Sequence, residues 1–287
     1  MRIALTCLYL CALLVTPTTL DAADSDSHNA IPKLFESEEI LDVTINAPWS
    51  TLVRDKSFQG PYPATIEYID PTGKPVTHEL TVERRGIKRQ EACTFPPIRL
   101  RFEKSEVKGS VFHGQDSLKM VTHCEDSLRY DQYFLIEMMA YRMYNLITDY
   151  SFRVRPLSAT YKDTENGNSE ANRFAFIIED DSDVAKRNDL EKLVVPRVRS
   201  TRLDQETTST FALFQLLIGN LDWSALKGPD PEECCHNVKL IGPEPLKDSD
   251  PIIPVPYDFD SAGLVNAPYV GPPLALGLKS VTQRLYR

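Results

Sequence analysis

The sequence predicts an α+β protein with a β-rich first half and a smaller, helix-containing second half. Between residues 38 and 124, short segments alternate apolar and polar residues between turn signals, which is typical of half-buried strands. One long segment with helical spacing follows, and after residue 180 helical, loop and short strand patterns alternate. With 287 residues, the chain can form one large domain or two lobes with a substantial core.

The first half contains seven predicted strands and one predicted helix. In chain order the strands are EEILDVTINAP, PATIEYID, HELTVERRG, PPIRLRFEK, DSLKMVTHC, SFRVRPLSATYKD and RFAFIIED. DPTGKP is a hairpin turn between the second and third strands. The helix, SLRYDQYFLIEMMAYRMYNLI, precedes the last two strands and has an apolar face formed by Phe134, Met138, Tyr141 and Leu146. We therefore expect a mostly antiparallel sheet with one inserted helix.

The second half changes character. DSDVAKRND and DQETTSTFALFQLLIGN predict two helices, and the glycine near the end of the second is a common helix stop. A long loop, LDWSALKGPDPEECCH, separates them from the short strands NVKLIG and DPIIPVPYDFD. The boundaries that we predict are a signal peptide over 1–22, a flexible leader over 23–37, a β-rich unit over 38–179 and a smaller unit over 180–287.

The first residues have the pattern of a secretory signal peptide. Arg2 precedes an apolar run from Ile3 to Val15, and Pro17 and small residues follow. This run is too short to span a membrane, and no other segment is apolar enough to do so. We therefore expect a secreted or periplasmic protein without a transmembrane segment after signal removal. The net charge of −9 argues against broad nucleic-acid binding, which requires a basic surface.

Export would leave four cysteines in an oxidising compartment, and this even number suggests disulfides. Cys93 precedes one predicted strand and Cys124 ends another, so a bridge forms readily if those strands are neighbours. Cys234 and Cys235 are adjacent, and they either form a vicinal disulfide or stay reduced. A zinc site that includes His236 is the less favoured alternative, because consecutive ligands on one short loop give poor tetrahedral geometry.

Two acidic segments in the second half are candidates for a metal–phosphate site. GNLDWS places Asp222 after an apolar helix, and YDFDSAG places Asp258 and Asp260 after a short strand. Two like charges on one side of a strand cost free energy unless a cation is near. Oxygen ligands suit Mg²⁺ or Mn²⁺, and a carboxylate can position or deprotonate a hydroxyl group.

The order of these elements is that of a protein-kinase-like two-lobe fold. It predicts an antiparallel, β-rich N-lobe with one helix over 38–179. It also predicts a smaller helical C-lobe, short or truncated, over 180–287. The segments VERRG, PPIRLRF, FHGQDSLKMV, YFLIEMMAYRMYN, FAFIIEDDSDVAKR, GNLDW and YDFDSAG occur in the same order. Over residues 80–265 the chain thereby resembles the CotH-type (spore-coat protein H) branch of atypical kinases, within the wider HipA and phosphoinositide-kinase-like group.

This resemblance implies an exported phosphotransferase that uses ATP with Mg²⁺ or Mn²⁺ and acts on a protein or small hydroxyl acceptor. The implied residues are Arg85 and Gly86 at a phosphate-facing turn, Lys119 at the phosphates, Glu137 as its partner, Glu179 near the adenine, Asp222 as the catalytic carboxylate, and Asn237, Asp258 and Asp260 at the metal. The chain departs from the family in several ways, and Arg99, Arg101 and Lys88 compete with Lys119 for the phosphate role. Asp222 and Asn237 lie further apart, and no glycine-rich loop is visible.

Each of these residues also has an ordinary structural interpretation. Asp222 can cap a turn, Lys119 can be solvated on a strand, and Glu137 can be a surface acid of a helix. The basic cluster Arg84, Arg85, Lys88 and Arg89 can bind an anion or equally be a solvated turn. We expect His113, His123 and His236 to be structural or on the surface. The rival function is a catalytically inactive, CotH-like surface or structural binding protein. A third is a disulfide-bonded β-rich binding domain without a nucleotide site.

Overall fold

The computed structural model describes residues 30–86, 88–229 and 233–285. The predicted signal peptide and the first part of the predicted leader lie outside these residues. The strands are β1 (Leu41–Ala47), β2 (Tyr62–Ile69), β3 (Pro75–Arg84), β4 (Ile98–Arg101), β5 (Ser117–Val121), β6 (Val154–Asp163), β7 (Ser169–Ile178), β8 (Glu191–Leu193), β9 (Val238–Gly242) and β10 (Ile253–Pro256). The helices are α1 (Trp49–Arg54), α2 (Lys88–Ala92), α3 (Asp131–Asn145), α4 (Asp181–Lys186) and α5 (Gln205–Ile218).

The first seven strands form a closed barrel in the order β1-β2-β3-β4-β5-β7-β6. Neighbouring strands are antiparallel except at the closure, where β1 pairs with β6 in parallel and Thr44 lies opposite Thr160. Barrel closure buries the inward-facing residues of each strand, among them Ile45, Val82 and Leu100. Leu34 and Phe35, from the end of the predicted leader, are buried in the same core.

The predicted protein-kinase-like two-lobe fold is wrong, because the chain forms a closed, mixed barrel with few helices. Alternation identifies strands but does not show which strands pair, so the parallel closure of β1 on β6 was not predictable from it. The expected helical C-lobe is also absent over the described part of 180–287. There the chain forms α4, α5 and a three-stranded sheet ordered β10-β9-β8.

Helix α3 packs on β7 and β6 at the outside of the barrel. Phe134, Met138 and Tyr141 are buried, as the helical spacing predicts, whereas Leu146 lies beyond the helix and is 89% exposed. Asp204 caps the N-terminus of helix α5, where its carboxylate accepts the Thr207 N–H. Gly219, in the left-handed conformation, caps the C-terminus. None of the helices in the described ranges is both long and apolar enough to cross a membrane.

A second core joins the outside of the barrel to the second half of the chain and positions the acidic segments. Phe259 is fully buried there, 4.6 Å from the Tyr141 ring and 5.8 Å from the Phe214 ring. Because Phe259 is anchored between α3 and α5, its neighbours Asp258 and Asp260 are held at the boundary between barrel and second half. Nearby, the Cys93–Cys124 disulfide joins the segments that flank the neighbouring strands β4 and β5.

Candidate functional site

A cleft of about 330 Å³ lies between the turn after β3, α2, α3 and the loops around β9 and β10. Seven of the nine residues predicted from the sequence line it. They are Arg85, Gly86, Glu137, Asp222, Asn237, Asp258 and Asp260. Lys119 and Glu179 do not line it. The remaining lining includes Lys88, Arg89, His236 and Tyr257, which are not among those nine residues.

Asp258 lies two residues after the end of β10 and has an unusual environment. Its φ of 61° places it in the left-handed region, and its N–H donates to the Tyr141 hydroxyl at 2.9 Å. Within the described residues its carboxylate accepts no hydrogen bond and forms no ion pair, although it lines the cleft. Burial and the neighbouring charge of Asp260 raise the pKa of Asp258 to about 6. Binding of a cation or of a proton would therefore stabilise the Asp258 carboxyl group.

Asp260 is held by the protein's own cation. The buried Arg89 donates from Nε to Asp260 at 3.0 Å, and its Nη2 forms an ion pair with Glu137 of α3. The Arg89 guanidinium also lies 5.3 Å from the Phe134 ring. Ser261 donates to the other oxygen of Asp260 at 3.1 Å. The expected pairing of Glu137 with Lys119 is therefore replaced by a pairing with Arg89.

Both carboxylate oxygens of Asp222 are also engaged. Lys88 Nζ lies 2.8 Å from Oδ2, and His236 Nε2 lies 2.8 Å from Oδ1. Burial alone would raise the pKa of Asp222, but the hydrogen bonds from His236 and Lys88 outweigh it and hold the pKa well below its usual range. The same hydrogen bond raises the pKa of His236. Asp222 is therefore ionised at neutral pH and is a weak base.

Asn237 fixes the backbone around Asp222. Its side-chain amide donates to the Asp222 carbonyl at 2.7 Å, and its φ is 50°. The Asp222 N–H in turn donates to Asn220 Oδ1 at 3.0 Å. The long loop predicted between Asp222 and Asn237 thus folds back so that its two ends meet. The oxygen of the Asn237 amide has no described hydrogen bond and can serve as a ligand.

Lys119 lies behind the cleft, against the ring of Tyr257. Its Nζ is 4.7 Å from the ring centroid, and Lys239 Nζ is 5.6 Å from the same centroid. Burial lowers the pKa of both lysines. Arg85 donates to the Tyr257 hydroxyl, so three cations surround this one phenol. Of these three cations, Arg85 lines the cleft, where it can contact an anionic ligand.

Glu179 has a structural role in this arrangement. It is fully buried, forms an ion pair with Arg187 at 2.9 Å, and accepts the Arg153 N–H at 2.8 Å. These contacts tie the end of β7 to α4. A direct contact of Glu179 with a ligand in the cleft is therefore not supported by its position.

The sequence did not predict the roles of Arg89 and His236, which contact the carboxylates of the cleft. Arg89 belongs to a helix of five residues, too short to show a periodic pattern, and its partners Glu137 and Asp260 are 48 and 171 positions away. His236 lacks metal-ligand spacing, but it directly precedes the predicted ligand Asn237, and that adjacency was the available signal.

The oxygen donors of the cleft fit a hard divalent cation in part. Among the described residues, no group of three or more His, Cys, Asp and Glu side chains is arranged to hold a metal ion. Mg²⁺, however, is commonly bound by one or two carboxylates, with water and phosphate as its other ligands. Asp258, whose carboxylate has no partner among the described residues, lines the cleft with Asp260 and Asn237, and their oxygens are such a partial set.

No protein-family model, no curated protein and no solved structure matches this chain. The chemistry of the cleft is therefore inferred from its own residues.

Proposed function

We propose that the cleft binds the phosphates of a nucleoside triphosphate together with Mg²⁺ or Mn²⁺ and transfers a phosphoryl group to a hydroxyl acceptor. One observation carries this proposal. The partly buried carboxylate of Asp258 has a raised pKa and, among the described residues, no ion-pair partner, yet it faces a cleft lined by Asp260, Arg85 and Lys88. A buried carboxylate without an ion-pair partner is stabilised when a metal cation binds. The nearby side-chain cations would then bind the anion that accompanies the metal.

The residues of the cleft would have different roles in phosphoryl transfer. Asp258 and Asp260, with the Asn237 amide oxygen, would hold the cation, which when bound neutralises charge on the phosphates. Arg85 and Lys88 would contact phosphate oxygens. Asp222 would orient the acceptor hydroxyl rather than remove its proton, since its low pKa makes it a weak base.

The choice of ATP as donor rests on the resemblance to CotH-type proteins in the order of the segments. The cleft itself supports only a cation with a polyanion. A protein or small-molecule hydroxyl is the proposed acceptor, and transfer of another part of the nucleotide would use the same residues.

A second function, binding without catalysis, is favoured by a different observation. The protein's own cations already contact three of the four carboxylates that line the cleft. Lys88 and His236 hold Asp222, and Arg89 holds both Asp260 and Glu137. A cleft neutralised in this way can keep its shape without a metal. The protein would then be a surface or structural protein that binds a partner.

Unfolding of the purified protein with Mn²⁺ and ATP, separately and together, tests the proposal. At about 100 times its dissociation constant, the Mn²⁺–ATP pair should add roughly 2.7 kcal/mol of stability. Asp258→Asn should abolish this gain. Asp248→Asn should retain it, because the Asp248 side chain is fully exposed and does not line the cleft.

The outcomes separate the two functions. A gain that requires both components and Asp258, with release of phosphate from ATP, supports phosphoryl transfer. The same gain without any turnover supports the binding protein. No gain in the unmodified protein, or an equal gain in Asp258→Asn, contradicts a nucleotide–metal site.

A further inference from the structure

The loop that carries Asp222 returns to the cleft through two adjacent cysteines. Cys234 and Cys235 are joined by a disulfide and directly precede His236 and Asn237. The backbone of His236 pairs with Ser224 through hydrogen bonds of 2.9 and 3.1 Å. The side chains of His236 and Asn237 then hold the carboxylate and the carbonyl of Asp222. The contacts that this loop makes to Asp222 therefore begin within two residues of the bridge.

A disulfide between neighbouring residues closes a small ring that includes their peptide bond. The ring restricts the backbone of both residues, and breaking it returns conformational freedom to them. Around the ring, the Cys234 N–H donates to Val195 at 3.1 Å and its sulfur lies 3.7 Å from the Ala225 carbonyl oxygen. His236 follows Cys235 without an intervening residue. Opening of the disulfide ring therefore affects the backbone at His236 and its hydrogen bond with Asp222.

The two disulfides of the described chain differ in access. Cys93 and Cys124 are 4% and 1% exposed, whereas Cys234 and Cys235 are half-buried at the surface of the loop. Thiol–disulfide exchange requires that a thiolate reach a sulfur atom. A mild reductant should therefore reach the adjacent pair and leave the Cys93–Cys124 bridge intact.

We propose that Cys234 and Cys235 form a thiol–disulfide exchange site that controls the geometry of the Asp222 loop. The partner is a dithiol. One of its thiolates attacks a sulfur of the bridge, the second thiol resolves the mixed disulfide, and two electrons and two protons pass to the cysteines. The bridged form holds His236 against Asp222 and is the competent form. The reduced form loses that contact.

Thiol labelling and tryptophan emission test the structural part. After mild treatment with a dithiol, native protein alkylated with N-ethylmaleimide should carry two labels, on Cys234 and Cys235. Trp223, whose indole N–H donates to Asn220 at 3.0 Å, should change its emission, because it lies beside Asp222. Trp223→Phe should remove that change, since the other tryptophan, Trp49, lies in the barrel core.

The functional part of this proposal rests on the proposed nucleotide–metal site and is tested separately, by Mn²⁺–ATP affinity. Reduction should weaken Mn²⁺–ATP binding by about tenfold, the effect of losing one hydrogen bond to a charged group. Cys234→Ser/Cys235→Ser should bind at the level of the reduced protein and no longer respond to dithiol, and reoxidation of the unmodified protein should restore binding.

The outcomes distinguish the two proposals. If the oxidised protein does not bind Mn²⁺–ATP but Trp223 emission follows the redox state, the exchange site stands and the nucleotide site fails. If Cys234 and Cys235 remain unlabelled, or if they are labelled while Trp223 emission and Mn²⁺–ATP affinity are unchanged, the exchange site is overturned.

Discussion

At the scale of single residues, the sequence located the acids of the cleft but not the groups that control them. Asp222, Asp258 and Asp260 could be selected because carboxylates after an apolar helix and a short strand form a local pattern. The roles of Arg89 and His236 could not be recognised in this way, because they come from contacts made only after folding. For example, Arg89 reaches Asp260 across 171 positions of the chain.

The environment of Asp258 makes stability depend on pH when no metal is present. Its pKa in the folded protein is about 6, above its ordinary value of 3.8. The folded state thus binds more protons than the unfolded state between these values, so stability falls as the pH rises from about 4 to about 6. With a chelator present, Asp258→Asn should therefore stabilise the protein by about 1–2 kcal/mol at pH 7.5.

Urea unfolding at pH 7.5 and pH 4.5 measures this effect. The advantage of Asp258→Asn should shrink at the lower pH, where the native carboxyl is largely protonated. The exposed Asp248 provides the control, since Asp248→Asn should change stability little at either pH. A destabilised Asp258→Asn protein at pH 7.5 would show that this carboxylate has a stabilising partner, contrary to the geometry.

At the scale of elements, prediction succeeded where segments were long enough to show a period. Strands such as β2 and β3 and the helices α3 and α5 lie where alternation or helical spacing placed them. The short elements α1, α2 and β8 were missed, although α4, which also has only six residues, was predicted. One of these three elements matters for the site, since α2 supplies Lys88 and Arg89.

The loop after β10 and the end of α5 form a unit that the C-terminal segment covers. Gly263 donates its N–H to Gly219 at 3.0 Å, and a Cβ added at Gly263 would collide with the Val281 carbonyl and lie 3.1 Å from Thr282 Cα. The obstructing atoms are backbone, so they cannot rotate away. We predict that Gly263→Ala destabilises the protein by about 1–3 kcal/mol.

Gly271 provides a matched control for this substitution. A Cβ at Gly271 meets no atom within 4 Å, and its φ is not in the left-handed region. Gly271→Ala should therefore be neutral or slightly stabilising in urea unfolding. Equal stability of the two variants would show that the C-terminal segment does not pack on the acidic loop as described.

At the scale of the whole molecule, barrel closure is the feature that local sequence patterns could not reveal. Each strand was visible, but the pairing of β1 with β6 joins segments more than 100 residues apart, and no local signal specifies it. The kinase-like order of elements was therefore compatible with a different three-dimensional arrangement. Seven of the predicted site residues nevertheless line one cleft, because β10 and α5 pack together with α3.

The two disulfides should contribute very differently to the stability of this fold. Cys93–Cys124 closes a loop of 31 residues across neighbouring barrel strands, whereas Cys234–Cys235 spans a single peptide bond. In the chain-entropy description, cross-linking across 31 residues removes about 3–4 kcal/mol of unfolded-state entropy, and bridging adjacent residues removes almost none. Cys93→Ala/Cys124→Ala should therefore lower the unfolding free energy by about 3 kcal/mol, and Cys234→Ser/Cys235→Ser by less than about 1 kcal/mol. Urea unfolding of both double variants measures the contrast, and similar losses would mean that the adjacent pair supports the global fold rather than one loop.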